Sequence, residues 1–212
     1  MKARFVRSAV ALCLASIGVL GIAPSAHAVS IPRVNVHKYN GNELDVSMTS
    51  NAGQEVDVHV ITLGTYGVVD SKQEIDMQTP GECSPVQPSG DPNFPNRMVC
   101  AGVTSPYMLA VGGTGTNFIW TQAIGKTTFV FGGPHANYFI GSGYSTDNFY
   151  ENGGTGGLLD VRQPTQPGYA NHDSVNCGGN KNITVYAKPG DSVGSGCNPN
   201  LTTIGTGAGE GI

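Results

Sequence analysis

The sequence predicts an all-β protein in which an N-terminal β-meander continues into a parallel β-roll or solenoid, tied by two disulfides. Three observations carry this. Apolar and polar residues alternate between Ile31 and Val69, the period of half-buried strands. Beyond Cys100 the chain breaks into short apolar pulses parted by glycines, too close together to leave room for helices. Charged residues make up only 12% of the chain while glycine fills 31 of 212 positions, a balance that suits short strands and tight turns.

Residues 1–28 have the layout of a secretory signal peptide. Lys2, Arg4 and Arg7 precede an apolar run from Ala9 to Ile22, and the small residues of Ala26-His27-Ala28 suit cleavage after Ala28. The run is too short to span a bilayer well, and no later run is long enough. The mature chain is therefore expected to be secreted, with no membrane span. Three of the 11 bases lie in the leader, so 8 bases face 15 acids in the remainder. That acidic balance offers no footprint for a phosphate backbone, which argues against nucleic acid as a partner.

Cys13 goes with the leader, leaving Cys83, Cys100, Cys177 and Cys197. An even set in an exported chain reads as two disulfides, with three pairings open on paper. Cys83 with Cys100 and Cys177 with Cys197 is favoured, because each pair brackets a short loop rich in Gly, Pro and Asn. No Cys-x-x-Cys spacing and no adjacent His points to zinc.

Residues 29–102 form the N-terminal β-strand segment. Val34 and Val36 lead to Asn40-Gly41, a hairpin signal, after which Leu44, Val46 and Met48 recur every second residue. Val56, Val58 and Val60 alternate with Asp57 and His59, as in a further strand of a meander. The prolines between Pro80 and Asn96 mark the loop that the first disulfide would pin.

Residues 103–200 carry the pulses: 108–111, 118–120, 129–131, 138–140, 149–150 and 158–159. Their spacing suggests coils stacked as a parallel roll, although a flat antiparallel meander would give the same pattern. Gln163 to Asn171, with two prolines, breaks the rhythm as a protruding loop. Residues 201–212 read as a flexible tail.

Calcium-binding parallel β-rolls repeat Gly-Gly-x-Gly-x-Asp-x-U-x, where glycines make the turn, Asp offers a carboxylate and the large apolar U points inward. Gly132-Gly133-Pro134-His135-Ala136-Asn137-Tyr138-Phe139-Ile140 fits that frame, with His135 for the fourth glycine and Asn137 for the aspartate. Asp147-Asn148-Phe149, Asp173-Ser174-Val175 and Asp191-Ser192-Val193 are further Asp-x-U units. The last two stand two nonapeptides apart, so in a roll they would stack on one edge.

On these residues, and on Cys177-Gly178-Gly179, Thr184-Val185-Tyr186-Ala187 and Pro189-Gly190-Asp191 around the closing coil, the chain resembles the secreted RTX-like repeat proteins common in high-GC Gram-positive bacteria. The resemblance implies an extracellular right-handed parallel β-roll whose intact members bind calcium. It makes Asn137, Asp147, Asp173 and Asp191 the candidate calcium ligands. The frame is degenerate where that chemistry is decided, since one carboxylate is an amide and the Gly-Gly-x-Gly turns before Asp173 and Asp191 are largely gone.

Composition calls for no cofactor, and no residues recommend themselves as catalytic. Gly190-Asp191-Ser192-Val193-Gly194 matches the Gly-x-Ser-x-Gly nucleophile elbow, but no helical segment follows it. His37, His59, His135 and His172 are scattered, and Asp147 and Glu151 are better explained by turns than as a glycosidase pair. Tyr138, Tyr144 and Tyr150 are candidates for an exposed binding stripe of the kind carbohydrate-binding surfaces use. The reading is a secreted, non-enzymatic structural or interaction protein that meets a protein or glycan partner at or beyond the cell surface. The alternatives are a calcium-dependent binding module and an extracellular hydrolase on a β-helix.

Overall fold

The computed structural model describes residues 31–39, 42–77, 81–86, 91–104, 106–113, 115–163, 165–169 and 171–205. The expected leader, the Asn40-Gly41 turn, residues 78–80 and 87–90 of the proline-rich loop, and residues 206–212 of the expected tail lie outside the described residues.

The fold is all-β. Its strands are β1 (Arg33–Tyr39), β2 (Glu43–Ser50), β3 (Glu55–Leu63), β4 (Tyr66–Ser71), β5 (Ile75–Met77), β6 (Cys83–Val86), β7 (Asn96–Cys100), β8 (Tyr107–Gly113) and β9 (Thr116–Gln122). They continue as β10 (Thr127–Phe131), β11 (Asn137–Ile140), β12 (Thr146–Tyr150), β13 (Gly157–Asp160), β14 (Ser174–Asn176), β15 (Ile183–Ala187), β16 (Ser192–Val193) and β17 (Thr202–Ile204). Among the described residues the one helical turn is a 3-10 turn at Pro199–Leu201.

Two mixed sheets result. One has eight strands in the order β16-β14-β12-β10-β8-β2-β1-β5, the other nine in the order β17-β15-β13-β11-β9-β3-β4-β7-β6. From β8 onward, successive strands alternate between the sheets and pair in parallel with the strand two further on. Each pulse expected between residues 108 and 159 is one of these strands.

The apolar alternation becomes continuous columns across the coils. In the eight-stranded sheet Val36, Val46, Leu109, Val130, Phe149 and Val175 are in register and buried. In the nine-stranded sheet Val58, Ile119, Phe139, Leu159 and Val185 do the same. Phe139 meets Phe149 with ring centroids 5.3 Å apart, which joins the two columns in one core. Burying such a side chain stabilises by roughly 1.5–3 kcal/mol.

The N-terminal segment departs from a simple meander. β1 and β2 form the expected hairpin, but β3 lies in the other sheet and makes its own hairpin with β4. The cause is local: a turn at residues 51–54, with Gly53 at φ 79°, turns the corner instead of folding the chain back. β2 and β3 then pair in parallel with β8 and β9, so the meander residues already form the first coil of the stack.

Both expected disulfides form. Cys83 and Cys100 are cross-strand partners of β6 and β7, and Cys177–Cys197 joins the ends of the last two eight-sheet strands. Loops of this size give about 3 kcal/mol each in the chain-entropy account. The expected tail is ordered at its start, because Thr202–Ile204 pairs with β15. The described residues of the expected loop at 163–171 are held to the body, with Gln166 N–H donating to Gly143 O at 2.9 Å.

Candidate functional site

The four candidate ligands divide between two edges. Asp147, Asp173 and Asp191 stand where the chain returns to the eight-stranded sheet, just before or within β12, β14 and β16. Asn137 stands where it crosses to the nine-stranded sheet, at the start of β11.

The aspartates stack as the 18-residue spacing implies. The register Asn148–Ser174–Ser192 sets them one above another. Asp147 N–H donates to Asp173 Oδ1 (2.8 Å) and Asp173 N–H to Asp191 Oδ1 (3.1 Å). All three side chains are buried. Asp147 is held by neutral donors: the Thr121 and Thr128 hydroxyls on Oδ1, Ser142 N–H and the Ser145 hydroxyl on Oδ2. Burial raises its pKa, which those four bonds counter.

Lys188 completes this edge. Its ammonium donates to Asp173 Oδ2 (3.0 Å), to Asp191 Oδ1 (2.9 Å) and to Asn171 Oδ1. An ammonium has three donors, and here each has a partner. Lys188 N–H also donates to Asp191 Oδ2 at 2.9 Å. Burial and the charge of Asp147 push the Asp173 pKa up, and the ammonium pulls it back.

Calcium wants six or more oxygens at about 2.3–2.6 Å. At this edge all four oxygens of Asp173 and Asp191 already accept from protein donors, and the two that converge, Asp173 Oδ2 and Asp191 Oδ1, meet at the Lys188 nitrogen. These residues do not fit a calcium ion. Among the described residues no group of three or more His, Cys, Asp or Glu is arranged to hold a metal.

The opposite edge repeats the theme with an amide. Asn117 Nδ2 donates to Asn137 Oδ1 (3.0 Å), while Asn137 Nδ2 faces the Gly133 and His135 carbonyls and both Glu151 carboxylate oxygens at 2.9–3.0 Å. Four oxygens meet at this nitrogen, as three do at the Lys188 ammonium. Glu151, just past the end of β12, is buried, and room for it depends on glycine: a Cβ on Gly154 would stand 1.9 Å from its Oε1.

Burial pushes the Glu151 pKa up to about 7, against the Asn137 and Gly154 hydrogen bonds that favour its charged form. A raised carboxyl pKa means that the folded state holds the proton more tightly, so this stabilisation is full below about pH 4.5 and is lost as pH rises through 7. Glu151→Gln should therefore flatten the pH profile, improving on the parent at pH 8 by up to about 3 kcal/mol relative to pH 5. Urea denaturation at the two pH values checks this, and parallel profiles for parent and variant would refute it.

The three tyrosines do not form one stripe. Tyr138 stacks on Phe118 on the outer face of the nine-stranded sheet (4.7 Å), while Tyr150 stacks on Phe131 on that of the eight-stranded sheet (5.4 Å). Tyr144 lies in an edge turn against Tyr169. The aromatic concentration is instead around Trp120, which stacks on His59 with centroids 4.4 Å apart beside Phe94. Trp120 and Phe94, with Phe118, Tyr138 and Ile140, border a cleft of about 370 Å³ that Glu55, Asp57 and Lys72 also line. A wider depression of about 670 Å³ lies on the other sheet, between Asn35, His37, Asp45 and Phe131.

Sequence reasoning missed Lys188, Glu151 and the Phe94–His59–Trp120 cluster. Lys188 had a signal, because a base three residues before Asp191 is conspicuous in a chain with so few. Phe94 had none, since its loop reaches His59 only through the pairing of β7 with β4. Ser192 of the Gly-x-Ser-x-Gly match lies in β16 and is followed by the turn to Cys197, with no helix there.

Compared with known proteins, the chain matches no family model, no curated protein and no solved structure. Its class is thus defined by what the fold displays: an all-β, two-sheet stack with two disulfides, in which no helix among the described residues is long and apolar enough to cross a membrane.

Proposed function

We propose that this chain is a secreted, non-enzymatic interaction protein on a degenerate RTX-like β-roll in which protein nitrogen has taken the place of calcium. One observation carries the reading: the Lys188 ammonium among Asp173, Asp191 and Asn171. A tethered ammonium gives Asp173 and Asp191 a built-in counter-charge, so the roll can stand outside the cell whatever the calcium concentration. The outer sheet faces are then left for recognition. Two disulfides suit an oxidising compartment.

The test is a pair of melting curves on the mature protein, one in EGTA and one in millimolar CaCl₂. Coincident midpoints are expected. A rise of several degrees with calcium would replace this reading with that of a calcium-dependent binding module.

A further inference from the structure

We propose that the cleft beside Trp120 on the outer face of the nine-stranded sheet binds a neutral saccharide, with Trp120 and Tyr138 against the sugar ring and Glu55, Asp57 and Asn93 receiving its hydroxyls. The inference deepens the interaction role above and rests on it.

The cleft follows from the strand pattern. In β9 the inward positions are Asn117, Ile119 and Thr121, so Phe118 and Trp120 must face outward. Strand register then places His59 and Ile140 on either side of Trp120, and Asp57 and Tyr138 on either side of Phe118. The loop before β7 lays Phe94 against His59 and near Lys72, which walls one side. Although one face of the indole is covered by His59, Trp120 remains 42% exposed. At about 370 Å³ the cleft falls in the range of small-molecule sites.

Behind Trp120 and Phe94, outside the cleft lining, sits an unpaired polar group. His59 is 8% exposed, and its Nε2 has no hydrogen-bond partner among the described residues. Cross-strand from it, Asp70 is taken by Arg97 in a bidentate pair at 2.6 and 2.7 Å. Burial lowers the His59 pKa, against the pull of Asp70, so the ring is a neutral one beside the indole.

Charge selects among ligands. Glu55 and Asp57 outnumber Lys72 at the rim, which disfavours phosphates and carboxylates. A cationic ligand would have to compete with Lys72, whose ammonium already lies 2.6 Å from Asp57. What remains is an uncharged molecule with apolar C–H faces and many hydroxyls. A pyranose offers both, with carbon against aromatic rings and hydroxyls to carboxylates and an amide.

Trp120 is the chain's single tryptophan, so its emission reports the cleft directly. Mature protein would be titrated with cellohexaose, chitohexaose and mannohexaose, following Trp emission and, in parallel, heat. At least one sugar should give a saturable emission shift with a matching heat. Tyr138→Ala should weaken that binding at least tenfold, and Asp57→Asn, a milder change at the rim, should weaken it severalfold while lowering the melt no more than the loss of one exposed ion pair does. No shift and no heat with any of the three sugars would overturn the proposal, as would a shift that both variants leave intact. A calcium-dependent melt alongside a positive titration would remove the metal-free reading and leave the saccharide site standing.

Discussion

Lys188→Ala is expected to destabilise the protein by about 3–5 kcal/mol, the cost of removing one partner from a buried ion pair. The size follows from what is left behind. Asp173 and Asp191 are almost wholly buried, and without the ammonium their charges would face each other and Asp147 with only backbone amides for relief. An exposed pair such as Arg33–Asp76 is a fitting comparison, since Arg33→Ala should cost about 1 kcal/mol or less. The loss at Lys188 should also shrink as pH falls, because protonating the orphaned carboxylates removes their repulsion. Denaturation of both variants at pH 7 and pH 4 measures this. A loss under 1 kcal/mol, or one that does not change with pH, would mean that Lys188 is not the counter-ion of this edge.

The same residue marks the boundary of what the sequence could convey. The stacking of Asp173 over Asp191 was legible, because a two-sheet coil fixes which residues meet and their separation of 18 matches one coil. Both disulfide pairings were legible for a related reason, each being the short-range choice. The chemistry among the stacked residues was not. Whether an aspartate column holds a metal or an ammonium depends on where one lysine side chain reaches, and Lys188 arrives from the turn that also carries Asp191. Glu151 shows the converse: its place at a turn is plain in sequence, while its burial comes from Gly132 and Gly154 leaving it room.

Aromatic pulses were likewise legible as strands but not as surfaces. Tyr138 and Tyr150 have the same alternation, and only the assignment of β11 and β12 to different sheets puts them on opposite outer faces. The turn at 51–54 similarly decides whether Val56, Val58 and Val60 extend a meander or begin the second sheet. Both outcomes satisfy the same two-residue period, so periodicity is silent and packing against β9 decides.

Gly157→Ala should be the most damaging glycine substitution in the two-sheet stack, with a loss of several kcal/mol. Gly157 has φ 131°, a conformation that L residues rarely adopt, and an added Cβ would lie 2.0 Å from the Asn137 carbonyl oxygen. That oxygen is backbone, in the strand with which Gly157 is paired, so relief would require separating β13 from β11. The move would disturb the Asn117–Asn137–Glu151 edge at the same point. Gly153→Ala isolates the conformational part of the effect: its φ is 79°, but nothing lies within 4 Å of the added Cβ. It should cost about 1–2 kcal/mol, the left-handed penalty alone. Chemical denaturation of the two variants separates strain from collision. Equal losses would mean that the close approach of β11 and β13 at Gly157 relaxes freely, and the in-register stacking of the coils would then not be what makes this position a glycine.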